Sequence, residues 1–134
     1  MSQFVTDTHA LHWHVTNDAR LSQRAHRVFQ ETDQGLHQIL IPSIILVELV
    51  YLAEKDRLPY ALVNQVFSLL ETIGGSYAIA ALDEKIAATL RKVDRSLVPD
   101  MPDRIITATA LQFNLPLISR DARIRQAGIV PTIW

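Results

Sequence analysis

Apolar residues follow two rhythms along this chain. Short apolar runs recur at Phe4-Val5, Gln38-Ile39-Leu40-Ile41, residues 77–80, Leu117-Ile118 and residues 130–134. Such runs suit strands, and the second, ended by Pro42, suits a strand buried on both faces of a parallel sheet. Between them, apolar residues recur three and four positions apart. Leu21, Ala25, Val28 and Phe29 predict an amphipathic helix over about residues 20–32, stopped by Gly35. Ser43 is placed to cap a helix that continues to about Glu54. Pro59 opens another as its first residue, with Leu62, Val66, Leu69 and Leu70 on one face, before Gly74-Gly75 breaks the pattern. Asp83 caps a helix bearing Ile86, Leu90 and Val93. Pro99 and Pro102 bracket a loop, a helix follows over about residues 103–113, and residues 122–126 form a short one.

Strands alternating with helices predict an α/β fold, a central parallel sheet flanked by helices on both faces. A chain of 134 residues without repeats or a linker reads as one domain, residues 1–134. Composition supports a packed core, since 49% of residues are hydrophobic and 20% charged, which excludes a disordered or fibrous chain. Cysteine is absent, so disulfides, cysteine-ligated zinc, iron–sulfur clusters and a thiol nucleophile are excluded. Residues 1–6 lack the basic flank and long apolar run of a leader, and residues 39–50 are too short and too interrupted to cross a bilayer. The expectation is a soluble cytoplasmic protein. A net charge of −1 gives no sign of broad, non-specific nucleic-acid binding, yet it leaves room for a nuclease handling a short stretch of strand.

In open α/β sheets, ligands bind outside the carboxyl ends of the strands. Four acids fall there from four separate segments: Asp7, Glu48, Asp103 and Asp121. Glu48 sits inside Ile44-Ile45-Leu46-Val47-Glu48-Leu49-Val50, where a charge is either on an exposed helix face or buried with a partner or a metal. Asp103 and Asp121, each taken alone, read most simply as helix caps. Asp100 lies three residues before Asp103, so the two acids need a counter-charge, from Arg104 or from a cation. Hard oxygen ligands without cysteine suit Mg²⁺ or Mn²⁺, which activate water and assist displacement at phosphorus. His9, His12 and His14 form a competing set for zinc, but their spacing matches no standard site, and they read as structural or surface residues. Trp13 reads as packing against the sheet. Arg104, Arg120, Arg123 and Arg125 are candidate phosphate contacts, the last three reading equally as a solvated helix face.

The residues carrying these acids resemble the motifs of PIN-domain proteins. Thr6-Asp7-Thr8-His9-Ala10-Leu11 with Trp13 resembles their opening, and Ser43-Ile44-Ile45-Leu46-Val47-Glu48-Leu49 their second acidic motif. The run from Asp100 through Asp103-Arg104 to Ala110 looks much like the third, and Leu117-Ile118-Ser119-Arg120-Asp121 like the fourth. Length and opening are similar to VapC-type toxins of bacterial toxin–antitoxin pairs. The resemblance implies a metal-dependent ribonuclease, with Asp7, Glu48, Asp103 and Asp121 as the metal-binding catalytic acids. It makes Asp100 an accessory acid and Ser119 a polar helper, and leaves the role of Arg104 open. It implies Mg²⁺ or Mn²⁺ as cofactor, RNA as substrate, an antitoxin protein as partner and a homodimer, with the apolar face near residues 59–70 in an interface or in the core. His12 and His14 depart from the pattern, where aliphatic or aromatic residues are expected. Two other readings compete. A haloacid-dehalogenase-type phosphotransferase also begins with a strand-terminal Asp, but its second Asp is replaced here by His9. A catalytically weak or inactive PIN-like binding module is the other.

Overall fold

A computed structural model describes residues 2–134; Met1, read above as part of the N-terminal stretch, lies outside the described residues. Five strands form one sheet: β1 (Ser2–Thr6), β2 (His37–Pro42), β3 (Tyr77–Ala80), β4 (Leu117–Ile118) and β5 (Thr132–Ile133). Every pair is parallel, and the order is β3-β2-β1-β4-β5. Seven α-helices flank it: α1 (Thr8–Val15), α2 (Gln23–Asp33), α3 (Ser43–Glu54), α4 (Tyr60–Leu69), α5 (Glu84–Thr89), α6 (Met101–Phe113) and α7 (Ala122–Ala127). The expected single-domain α/β architecture with a parallel sheet is what the chain forms. None of the described helices is long and apolar enough to cross a membrane.

The core lies at the carboxyl halves of β1 and β2 and along β4. Val5, Ile39, Ile41, Leu117 and Ile118 are fully buried and meet Leu11 of α1, Phe29 of α2, Ile45 and Leu49 of α3, and Ile106 of α6. β1 lies between β2 and β4, with Val5 beside both Leu40 and Leu117. The chain leaves β1 towards β2 and later returns on the other side through β4. That reversal opens a crevice at the carboxyl ends of β1 and β4.

Several element ends differ from expectation. α1 follows β1 after a single residue; its apolar residues and histidines interleave, so no clean stripe announces it. Ser43 does not cap α3, which starts directly from Pro42; its Oγ instead accepts the backbone N–H of Leu82 at 3.0 Å. Pro59 is the N-cap of α4, one position before the helix. α4 buries Leu62, Val63 and Val66 but leaves Tyr60 and Phe67 exposed, so its residues serve the core and a free surface at once. The helix capped by Asp83 ends after six residues and passes into a 3₁₀ turn at Leu90–Lys92. α6 begins at Met101, with Pro102 inside its first turn, where the missing N–H has no helical partner to lose. The last strand shrinks to two residues.

Phe29 carries the packing of α2 onto α1. It is fully buried and stacks on the His14 ring at 4.4 Å between centroids. Phe29→Ala should lower stability by about 3–5 kcal/mol, the range for emptying a buried aromatic site, read from the midpoint of a urea melt.

Candidate active site

Asp7 is the first residue after β1 and the N-cap of α1, its Oδ1 accepting the Ala10 backbone N–H at 2.9 Å. It is 4% exposed. Burial pushes its carboxyl up; the Ser119 hydroxyl, the Ala10 N–H and the nearby His9 draw it back, while Asp121 raises it further. Ser119, fully buried at the end of β4, accepts the Asp121 backbone N–H on its Oγ at 3.1 Å. Its own hydroxyl proton is thereby left for Asp7. One serine thus ties the exits of the two central strands together.

Glu48 lies in the middle of α3 and is half-buried. Its Oε1 accepts the Thr8 hydroxyl at 2.6 Å, so the side chain turns towards the start of α1 rather than freely into solvent. Burial raises its pKa and the Thr8 hydrogen bond lowers it, with Asp100 and Asp7 adding upward pressure. Asp121 is the N-cap of α7, accepting the Ile124 N–H on Oδ1 at 2.9 Å. Asp7 and Asp121 each cap a helix with a single carboxyl oxygen, which leaves lone pairs on the second, so capping and ligation do not exclude one another here.

The two acids of α6 divide their roles against expectation. Asp100, not Asp103, is the N-cap, accepting the Asp103 N–H at 3.1 Å. The Asp103 carboxyl accepts no hydrogen bond among the described residues. Its pKa is pushed up to about 7, first by burial and then by the charges of Asp100, Asp121, Asp7 and Glu48. The charges of acids from four segments thus act together on Asp103.

Arg104 does not neutralise them. Its Nε donates to the Val93 carbonyl at 2.8 Å and its Nη2 to the Leu90 carbonyl at 3.1 Å, holding the 3₁₀ turn against α6. Of the two counter-charges open to Asp100 and Asp103, the arginine is engaged elsewhere. None of Asp7, Glu48, Asp100, Asp103 and Asp121 forms an ion pair among the described residues. An all-oxygen, strongly negative donor set fits a hard divalent cation. No three His, Asp or Glu side chains already stand in a metal-holding arrangement among the described residues, so the fit lies in donor chemistry and charge.

The histidines do not form a rival cluster. His14 pairs with Asp33 at 3.2 Å and faces the Tyr77 hydroxyl, which donates to Asp33 at 2.5 Å. His9 instead borders the acids. With Asp7, Trp13, Arg120, Asp121 and Ala122 it lines a cleft of about 280 Å³. His9 and Trp13 stand four apart on α1, one helical face, a signal hidden while α1 itself was unread. On the other side of Glu48, an apolar groove of about 370 Å³ runs over Ile44, Val47, Tyr51, Leu52, Met101 and Pro102.

The PIN-domain family model matches residues 4–130 of the chain, the span that holds every one of these acids. The chain belongs to the PIN-domain family. It is 28% identical over 125 residues to Ribonuclease VapC22 of Mycobacterium tuberculosis, covering 93% of this chain and 92% of that protein. Its PIN fold also matches solved structures. One is VapBC2 of Rickettsia felis bound to a promoter DNA fragment (TM-score 0.71, 14% identity, 97% of this chain and 96% of that one). Another is DNA-bound VapBC of Salmonella typhimurium (0.72, 19%, 98% and 97%). A third is FitAcB of Neisseria gonorrhoeae (0.64, 21%, 96% and 95%). At those identities the agreement is one of fold.

Two outcomes follow from this PIN-domain site. A carboxyl raised in the folded state favours folding while protonated, and that contribution is lost as pH rises through its folded pKa. Without divalent ions, the melting temperature should therefore fall from about pH 4, the ordinary carboxylate range, to about pH 7, where Asp103 ionises in the folded state, and level off above that. Asp103→Asn should flatten that fall, and Mg²⁺ should offset it in the wild type, both read by thermal melts in EDTA and in Mg²⁺. Arg104→Ala should lower stability by about 1–3 kcal/mol through two carbonyls left without their donor, measured by urea denaturation.

Proposed function

We propose that this chain is a metal-dependent endoribonuclease, the toxin of a VapBC-type pair. One observation carries the reading: five carboxylates, unpaired with any base, gather at the carboxyl ends of the central strands. The name of the relative, a ribonuclease, supplies the reaction class.

In this reading Asp7, Glu48, Asp103 and Asp121 hold Mg²⁺ or Mn²⁺, and Asp100 adds negative charge at the rim. The ion, when bound, activates water and offsets charge at phosphorus. The chain's own residues do the positioning. Thr8 fixes the Glu48 carboxylate, and Ser119 fixes Asp7 while holding the turn that carries Asp121. Without the cation the acids repel phosphate, so metal loading precedes productive RNA binding.

The partner is an antitoxin laying an apolar segment into the groove beside Glu48. Tyr51 and Met101 are 59% and 63% exposed there, and an apolar helix is what such a groove accepts. Solved structures that share the fold are VapBC complexes and a toxin–antitoxin complex from Klebsiella pneumoniae, which supports such a partner.

Cleavage of a labelled single-stranded RNA and of a total tRNA pool, in EDTA, Mg²⁺ and Mn²⁺, tests the reading. Cleavage should need the metal and should fall by about a hundredfold or more in Asp103→Asn, the scale of losing one charge-stabilising group at a reacting centre. Folded protein that binds the metal and cuts neither RNA would instead make the chain a binding module.

A further inference from the structure

The cleft at the exit of β1 has a wall that metal binding does not explain. Arg120 lies between Ser119 and Asp121, beside two of the acids, yet pairs with neither. Its guanidinium carbon stands 5.5 Å from the centre of the Trp13 ring. Arg20 reaches the same ring at 5.0 Å, but Arg20 is engaged by Asp18 at 2.8 and 3.0 Å. Arg120 is exposed and has no hydrogen bond or ion pair among the described residues. The indole therefore holds a cation at the mouth of an acidic cleft and keeps it from collapsing onto the carboxylates. On the same ring, the His9 imidazole lies tilted by 31° with centroids 5.5 Å apart, and His9 is exposed to the cleft. Trp13 itself is 6% exposed, braced by Trp134 at 5.8 Å, so it acts as a rigid base for both groups.

A flat ring and an uncommitted guanidinium on one rigid support are complementary to a nucleotide. Arginine meets phosphate through paired donors, and an exposed ring stacks an unpaired base. The cleft, of about 280 Å³, has room for about one nucleotide. We propose that His9 and Arg120, seated on Trp13, form a subsite for the single-stranded nucleotide flanking the bond that is cut. His9 stacks its base. Arg120 binds its phosphate, which the acids alone would repel. The subsite rests on the ribonuclease reading above and adds to it the recognition of single strands.

The test measures binding of a short labelled single-stranded RNA by anisotropy, with all the acids intact and Ca²⁺ in place of Mg²⁺, so that the site is loaded while cleavage is suppressed. Arg120→Ala should weaken binding about tenfold and reduce the salt slope by about 0.7, one phosphate contact on a single strand. His9→Ala should weaken it by a similar factor, and His9→Phe, which keeps the ring, should restore it. Arg27→Ala, a loss of charge on the exposed face of α2, should leave affinity near wild type. In the active protein the two alanine variants should raise KM more than they lower kcat. Unchanged affinity and salt slope in both, with wild type still cutting RNA, would overturn the subsite and leave the nuclease standing; so would a loss confined to kcat. Wild type that neither binds nor cuts RNA overturns both.

Discussion

Mutual repulsion among carboxylates is the constraint around which this molecule is arranged. Acids from four segments act on Asp103, and no arginine or lysine pairs with any of them among the described residues. Three of the five are held where a helix begins: Asp7 on α1, Asp100 on α6 and Asp121 on α7. Backbone N–H groups and the positive end of a helix dipole partly compensate a carboxylate there. Glu48 has a hydroxyl instead. Asp103, in the first turn of α6, accepts no hydrogen bond among the described residues, and its carboxyl is pushed up to about 7. The compensation is incomplete, which is what a cation-binding site requires.

The sheet makes this crowding affordable to place. β1 sits at the centre with β2 on one side and β4 on the other, all parallel. Parallel strands discharge their chains at one edge, and the reversal of winding beside β1 keeps that edge open. The apolar residues of β1, β2 and β4 are buried to the last position before the polar turn, so Asp7 and Ser119 emerge from a rigid, dry layer. Ser119 joins the two exits directly. Around the acids the surface divides: an apolar groove over α3 and the start of α6, and an aromatic and cationic wall on α1 and the turn after β4. Those two surfaces differ in what they can receive, one a hydrophobic segment, the other a charged and stacked one.

Much of the fold was legible because it rests on local pattern. Apolar runs marked the strands, and three- and four-residue spacing marked α2, α4 and α5. Helix boundaries were less legible. Ser43 has the chemistry of a cap, yet its hydroxyl is claimed by Leu82 from a neighbouring strand exit, a contact between residues 39 apart in sequence. Pro102 looked like a loop residue, whereas the first turn of a helix accepts proline without loss. α1 escaped notice because its histidines interrupt the apolar stripe, and with it went the shared face of His9 and Trp13.

The sequence by itself determined the alternation of strands and helices, the family, and the identity of the acids that end up near one another. Each depends on residue type and on spacing within one segment. Only the tertiary structure decided which acid caps and which stands bare, that Arg104 turns to the carbonyls of Leu90 and Val93, and that Arg120 is held on Trp13. Those outcomes depend on which partners arrive from distant segments, and a side chain with several possible hydrogen-bond or charge partners takes the one that packing brings within reach.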